Sequence, residues 1–203
     1  MAYLCGGKVL KILIYPLGGI SKFSTSFNLS LVKEFLILIF GPIFQILACY
    51  FLVFLFPEKQ NLIFTYHWGI LFFNLLPIYP LDGGKLVCLL FHHFLSYKKA
   101  FYSTFLLGYL LLFCFFYFCF VSFSINVFFF TAFLFIKLMM EFRKAPYYYE
   151  RFLLERYLNH FCFQKSKVIS SFDQFQRSYR HLIKDGDNYY LEREYLEKKY
   201  KSC

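Results

Sequence analysis

Asp82 is the residue of this chain best placed to do chemistry. It follows a stretch, residues 61–81, that contains no Asp, Glu, Lys or Arg, and it is followed by Gly83, Gly84 and Lys85. An ionised carboxylate inside an apolar span costs about 2.5–3.5 kcal/mol on insertion scales, so it usually faces a water-filled cavity or a partner charge. The position therefore indicates a polar site within, or at the edge of, an apolar layer.

The residues around Asp82 favour a broken helix. Pro77 and Pro80 cannot continue a regular helix, and the two glycines after Asp82 let backbone or substrate approach closely. Carbonyls freed in this way are tolerated in a membrane only where they line a cavity or are covered by protein. Two simpler interpretations stay open. Asp82 can pair with Lys85 at the membrane edge with the glycines as a simple turn, and Asn74 can be an interhelical hydrogen-bonding residue.

The composition indicates that membrane helices position these residues. Of 203 residues, 59% are hydrophobic, 25% aromatic and only 17% charged, which departs from soluble proteins. A bilayer crossing needs about 20 apolar residues, and three runs suit it: residues 35–56, 61–81 and 100–136. The third is long enough to fold back, with the turn predicted at residues 122–126. We therefore expect an all-α polytopic membrane protein with about four transmembrane helices, one broken at the Asp82 motif, and a short β-rich segment near the N-terminus.

The distribution of basic residues predicts the orientation of the chain. Loops alternate between basic and non-basic, with lysines before the first run and many Lys and Arg residues after the last. The positive-inside rule then places the N-terminal region and the C-terminal tail in the cytoplasm. The formal net charge of +10 does not indicate a nucleic-acid partner. Acidic and basic residues are interleaved in the tail, a pattern typical of a solvated segment beside anionic lipid.

The chain divides by composition into four parts. A β-rich segment precedes the apolar runs and is expected to turn at Pro16, Gly18 and Gly19. The tail begins with a tyrosine-rich amphipathic stretch suited to the headgroup level. In order, the parts are a helix end with the β-rich loop (residues 1–34), the transmembrane core (35–141), an interfacial amphipathic helix (142–164) and a small cytoplasmic appendage (165–203).

The segment "NLLPIYPLDGGKL", residues 74–86, resembles the Asn-Pro-Asp-Gly signature of the site-2 proteases, zinc metalloproteases that cut substrates within the membrane. Three further segments fit the family in order: "YPLGG" at 15–19, "FGPIFQ" at 40–45 and "RFLLERY" at 151–157. The likeness covers roughly residues 1–160. It is greatest to the sporulation branch of the family, whose members process a membrane-tethered pro-sigma factor.

The resemblance implies a role for each motif residue. Asp82 matches the third zinc ligand of the family, and Asn74 matches the asparagine that positions the substrate or the developing oxyanion. The implied cofactor is Zn2+. The implied partners are the lipid bilayer of a bacterial cell and a membrane-associated protein substrate, presented as an extended strand beside the β-rich segment. The residues implied to bind the substrate or shape its path are Pro80, Gly83, Gly18 and Gly19.

The family's other two zinc ligands lie in an HExxH motif, which this sequence lacks. None of its histidines has a second histidine four residues away with an intervening Glu. Measured back from "YPLGG", the motif would fall a few residues before Met1. The chain as given is therefore not expected to hydrolyse peptides. The histidines are His67, His92, His93, His160 and His181.

Three functions remain open from the sequence. The first is an intramembrane zinc protease, and the second is a non-catalytic relative that binds and retains membrane clients. A small transporter is less favoured, because the spans show no internal repeat. In the sporulation branch the tail position holds a nucleotide-sensing CBS domain. Residues 165–203 are too short for a complete copy, which favours a docking appendage.

Overall fold

The computed structural model describes residues 9–15, 18–23, 30–122, 125–159, 161, 163, 165–186 and 188–201. Within them, six α-helices and five β-strands are formed. The helices are α1 (Leu31–Leu55), α2 (Gln60–Asn74), α3 (Asp82–Phe94), α4 (Tyr97–Ser122), α5 (Ile125–Leu158) and α6 (Glu192–Lys201). The strands are β1 (Val9–Tyr15), β2 (Gly18–Phe23), β3 (Ser166–Ile169), β4 (Arg180–Asp185) and β5 (Asn188–Leu191).

Two of these helices give the chain its membrane character. Among the described residues, Leu31–Leu55 and Tyr97–Cys119 are long and apolar enough to cross a bilayer. α1 starts before the predicted run because Ser30 is its N-cap. The Oγ of Ser30 accepts a hydrogen bond of 3.4 Å from the backbone N–H of Lys33, which satisfies a donor left open at the helix start. An arrangement with four crossings stays a prediction.

The second apolar run is divided between two helices. α2 ends at Asn74, residues 75–81 form an irregular connection, and α3 begins at Asp82. The break lies at the two prolines of the motif, which remove backbone donors from a helix. Ile78 in the middle of the connection is fully buried. The connection is therefore a packed corner between α2 and α3.

The fold-back predicted for the third run is present. α4 ends at Ser122 and α5 begins at Ile125, so the two helices return along each other. Near their middle, a Cβ on Gly108 would lie 3.2 Å from Cδ2 of Leu138. The missing side chain at Gly108 lets the two helices approach closely.

α5 continues past the end of the predicted transmembrane core (residues 35–141) without a break. It includes Pro146 and ends at Leu158, so most of the stretch predicted as a separate interfacial helix, residues 142–164, extends the preceding helix. The Tyr97 ring at the start of α4 stacks on Phe152 with ring centroids 4.1 Å apart. This stack fixes the end of α5 against the start of α4.

The strands form two small sheets. β1 and β2 pair antiparallel, with Tyr15 opposite Gly18 and Ile14 opposite Gly19; the predicted turn at Pro16 lies outside the described residues. The second sheet, in the tail, has the order β3-β4-β5, with β3 parallel and β5 antiparallel to β4. Its residues from Ser166 onward form a folded unit, hereafter the tail unit (residues 166–201).

A buried arginine anchors the tail unit to α5. The side chain of Arg156 is 1% exposed, and its Nη1 donates to Oε1 of Glu192 over 2.8 Å. Its Nη2 donates to the backbone oxygens of Gln176 (2.7 Å) and Arg177 (2.9 Å). The backbone N–H of Gln176 donates to Nε2 of the buried His181 over 3.1 Å. Hydrogen bonds to a charged group are the stronger ones, so this cluster joins α5, β4 and α6.

Candidate active site

Asp82 is the first residue of α3. Its backbone follows the extended residue Leu81, and the first helical hydrogen bond runs from the Lys85 N–H to the Leu81 oxygen over 3.0 Å. The N-terminus of a helix carries partial positive charge, which stabilises a carboxylate there. The corner between α2 and α3 thus holds the Asp82 side chain at the positive end of the α3 dipole.

The two glycines after Asp82 are required by close backbone packing. A Cβ on Gly83 would overlap the carbonyl group of Leu75, and one on Gly84 would overlap the backbone of Ile78 and Tyr79. Both glycines are buried. Since Leu75 directly follows Asn74 and Gly83 directly follows Asp82, this contact brings the backbones of the two candidate residues close together. The glycines therefore do more than form a simple turn.

α1 closes the other side of Asp82. A Cβ on Gly41 would lie 3.7 Å from Oδ2 of Asp82, an ordinary contact distance. One turn further along α1, Nε2 of Gln45 donates to the backbone oxygen of His67 on α2 over 3.3 Å. Both residues belong to the "FGPIFQ" segment. This segment thus lines the Asp82 site and joins α1 to α2.

Asp82 also has a partner on its own helix. Nζ of Lys85 lies 2.9 Å from Oδ1 of Asp82, and the two side chains are 40% and 35% exposed. This is the ion pair that the spacing allowed. Pairs exposed to this degree contribute about 0–1 kcal/mol in water, so the pair alone does not account for the packed glycines around it.

The described residues do not form a zinc site by themselves. No group of three or more His, Cys, Asp or Glu side chains that could hold a metal ion occurs among them. His92 is buried, with Nε2 3.6 Å from Sγ of Cys88, and its ring stacks on Tyr97. A catalytic zinc takes three protein ligands, and Asp82 supplies one. The donor set of the described residues therefore does not fit the metal.

The predicted site residues occupy two places. Asn74 ends α2, Pro80 follows a cis peptide bond in the connection, and Asp82 and Gly83 open α3. These four lie at one corner. The glycines of the β-rich segment lie in β2, and their described partners are residues of β1. Gly41 was the residue that sequence reasoning missed as part of the site, although "FGPIFQ" was noted as a motif.

Comparison with known proteins supports the resemblance. No protein-family model matches the chain. Stage IV sporulation protein FB of Bacillus subtilis (strain 168) is 36% identical over 168 residues, which cover 77% of this chain and 57% of that protein. The chain thus spans less than two thirds of this relative. Similarity of this extent to a sporulation protein supports, at the level of the family, the assignment of the chain to the site-2 proteases that its motifs resemble.

Proposed function

We propose that this chain carries part of the active site of an intramembrane metalloendopeptidase of the site-2 protease type. The observation that carries the proposal is the placement of Asp82, a carboxylate at the start of α3 that directly follows an uncharged stretch and contacts Gly41 of α1. Ionisable residues in membrane segments are rare and mark functional sites by default. The similarity to stage IV sporulation protein FB supports the same function.

In this proposal each residue of the corner has a task. Asp82 would offer a carboxylate oxygen to the metal ion, and Asn74 would bind the substrate peptide near the bond to be cut. Pro80 and Gly83 hold the connection tightly beside them, since the Gly83 backbone packs against Leu75. Gly41 leaves space next to the carboxylate. Zn2+ enters the proposal through the family resemblance, and its other ligands would come from outside the described residues.

The proposed substrate is a membrane-associated protein with an extended segment. Gly18 and Gly19 lie in a two-stranded sheet, and the open edge of such a sheet can pair with an added strand. A membrane-tethered pro-sigma factor is the specific candidate, by the resemblance to the sporulation branch. The N-terminal region and the tail unit are proposed to lie on the cytoplasmic side of the bacterial cell membrane.

One observation favours a second function. In the described residues Asp82 is paired with Lys85 and has no metal-binding group around it. A protein in which this ion pair has replaced the metal would bind membrane clients without cleaving them. This non-catalytic client-binding protein is the alternative to the protease.

Replacement of Asp82 separates these functions. The full-length product of the gene that encodes this chain should be co-expressed with a membrane-tethered pro-protein substrate, as wild type and as Asp82→Asn. The near-isosteric change removes the charge, so cleavage should stop while the protein still accumulates in the membrane. Cleavage at the wild-type rate by the variant would refute the role of Asp82.

A further inference from the structure

Residues 172–177 of the tail unit contact the starts of α4 and α1, in addition to the anchor that Arg156 and Glu192 form on α5. The backbone N–H of Tyr97, at the start of α4, donates to the oxygen of Phe175 over 2.8 Å. Nζ of Lys98 lies 2.8 Å from Oδ1 of Asp173, in a pair that is exposed on both sides. These contacts attach the tail unit to α4.

The same segment also reaches α1. An Nη2 of Arg177 lies 2.5 Å from Oε2 of Glu34, and the arginine side chain is only 6% exposed. Glu34 stands in the first turn of α1. The Glu34 side chain is 38% exposed, so the pair is buried on the arginine side only, and loss of Glu34 would remove one counter-charge from a buried guanidinium. This pair is therefore a selective link between the tail unit and α1.

Glu34 and the Asp82 site lie on the same face of α1. Gly41, which faces Asp82 Oδ2, follows Glu34 after seven residues. Seven residues make almost two full turns of an α-helix and about 10.5 Å of length. The side of α1 that Arg177 holds is thus the side that closes the site.

The Glu34–Arg177 pair acts on the near end of α1. Among the described residues, the buried residue of this helix is Cys49, which lies beyond Gly41, toward the far end, and the Gln45–His67 hydrogen bond joins α1 to α2 one turn after Gly41. The ion pair with Arg177 holds the end of the helix that precedes Gly41. Release of one such contact lets an element shift locally while its other contacts remain.

We infer that Glu34 and Arg177 are positioning residues: through their ion pair, the docked tail unit holds α1 so that Gly41 stays against Asp82. The state of the tail unit then sets how closely α1 approaches the Asp82 carboxylate. The consequence for peptide cleavage rests on the proposed function, whereas the link between the tail unit and this contact does not. A ligand or partner that lifts residues 172–177 from the helices would let Gly41 move away from Asp82.

Thiol labelling at position 41 tests the link without any enzymatic assay. Gly41→Cys fits the structure, since its Cβ would make an ordinary contact with Asp82. The protein, reconstituted in lipid nanodiscs, is treated with a water-soluble maleimide, and mass spectrometry of the peptide that contains residue 41 gives the labelling rate. Adding Glu34→Gln should raise this rate about 2- to 30-fold, the range of typical coupling between linked sites.

The structure offers a matched control. Lys98→Gln removes another ion pair of the tail unit, but one made by α4 and exposed to solvent, so it should leave the labelling rate at position 41 unchanged. The exchanged pair Glu34→Arg with Arg177→Glu should return the rate toward that of Gly41→Cys alone. Where the exchanged pair does not fold, Arg177→Lys in the Gly41→Cys background is used instead. Because this change keeps the charge, its labelling rate should lie closer to the rate of Gly41→Cys alone than the labelling rate with Glu34→Gln does.

Two results would overturn the inference: an unchanged rate in Glu34→Gln, or an equal rise in Lys98→Gln. Cleavage by the full-length gene product is measured in parallel. If Glu34→Gln raises the labelling rate but the protein never cleaves substrate, the link between the tail unit and α1 is supported and the protease function is refuted. If cleavage depends on Asp82 but Glu34→Gln leaves the labelling rate unchanged, the protease function is supported and the link is refuted.

Discussion

The carboxylate of Asp82 faces Gly41, with Oδ2 3.7 Å from the position a Cβ on that glycine would take. α3 thus presents the acidic residue of its first turn to a point on α1 that has no side chain. This is an ordinary contact distance, so a side chain larger than a methyl group at position 41 would press against the carboxylate. The first prediction follows from this contact.

A large side chain at position 41 should displace the Asp82 carboxylate and stop substrate processing without unfolding the protein. Gly41→Leu places a branched side chain against Asp82, whereas Gly41→Ala adds a methyl group at an ordinary contact distance. We expect Gly41→Leu to lower the cleavage rate at least about tenfold, which corresponds to ~1.4 kcal/mol of barrier, and Gly41→Ala to change it little. Cleavage of a co-expressed membrane substrate, normalised to the amount of membrane-inserted protein, measures both. Equal cleavage rates in Gly41→Leu and Gly41→Ala would show that the contact between position 41 and Asp82 does not affect cleavage.

The packing of Gly83 predicts a large loss of stability on a small substitution. Gly83→Ala forces a methyl group into the carbonyl of Leu75, so the corner that holds Asp82 must move. We expect a loss of about 3 kcal/mol or more in the free energy of unfolding. Thermal unfolding in detergent or nanodiscs measures it.

Gly69→Ala is the matched control for this change. Gly69 lies in α2, and its added Cβ would meet no atom within 4 Å. Ala is a better helix former than Gly by about 1 kcal/mol, so this variant should be as stable as wild type or slightly more stable. A loss of stability in Gly69→Ala like that in Gly83→Ala would show that the effect does not come from the Leu75 contact.

Lys85 distinguishes a metal ligand from one half of an ion pair. If Asp82 exists to pair with Lys85, then Lys85→Gln should have the same effect on function as Asp82→Asn. If Asp82 binds a metal ion, only the Asp82 variant should lose cleavage. We expect the second result, with less than about 1 kcal/mol of stability lost in Lys85→Gln, because the pair is partly exposed. Parallel cleavage and unfolding assays on the two variants decide the matter.

The cluster that anchors the tail unit should be sensitive to acid. Burial lowers the pKa of His181, and the charge of Arg156 lowers it further, while the neighbouring Glu192 opposes both. For Glu192, burial raises the pKa, but its hydrogen bond with His181 and the charge of Arg156 lower it overall. Both groups therefore bind protons more readily in the unfolded tail unit, so its stability falls as the pH falls.

The pH window follows from the unfolded values. The loss from His181 begins below about pH 6.5, and the loss from Glu192 follows below about pH 4.3, near the ordinary pKa of each group. Hydrogen exchange of the β4 amides at pH 7.5 and 5.5, corrected for intrinsic rates, should show weaker protection at the lower pH. His181→Gln should lose this difference. A difference that persists in the variant would assign the effect to another group.

Most of the helical fold could be predicted from the sequence, because the apolar runs are long and the prolines interrupt one of them. The fold-back after Ser122 followed from polar residues inside a run too long for one crossing. The start of α1 was set by the N-cap Ser30, which precedes the run and gives no hydropathy signal. Continuous helix through Pro146 was not foreseen, since proline usually ends a helix pattern.

The tail sheet and the contacts across the site could not be predicted in this way. β3 and β5 have four residues each, too few for an alternating pattern to be recognised. Asp82 was found because a charge stands out in an apolar run. Its neighbour Gly41 was not, since a glycine in an apolar helix has an ordinary packing explanation. The pairing of Glu34 with Arg177 joins distant parts of the chain, and only the tertiary structure brings them together.

The central claim is that Asp82 belongs to a peptide-cleaving site. Its most direct test is the mass of the substrate after incubation with the full-length gene product in lipid nanodiscs. Hydrolysis by the wild type should give two fragments whose masses add up to the intact substrate plus one water, and Asp82→Asn should leave the substrate intact. If the wild type binds the substrate but leaves it intact, this result would contradict the protease function and support the alternative, a client-binding protein.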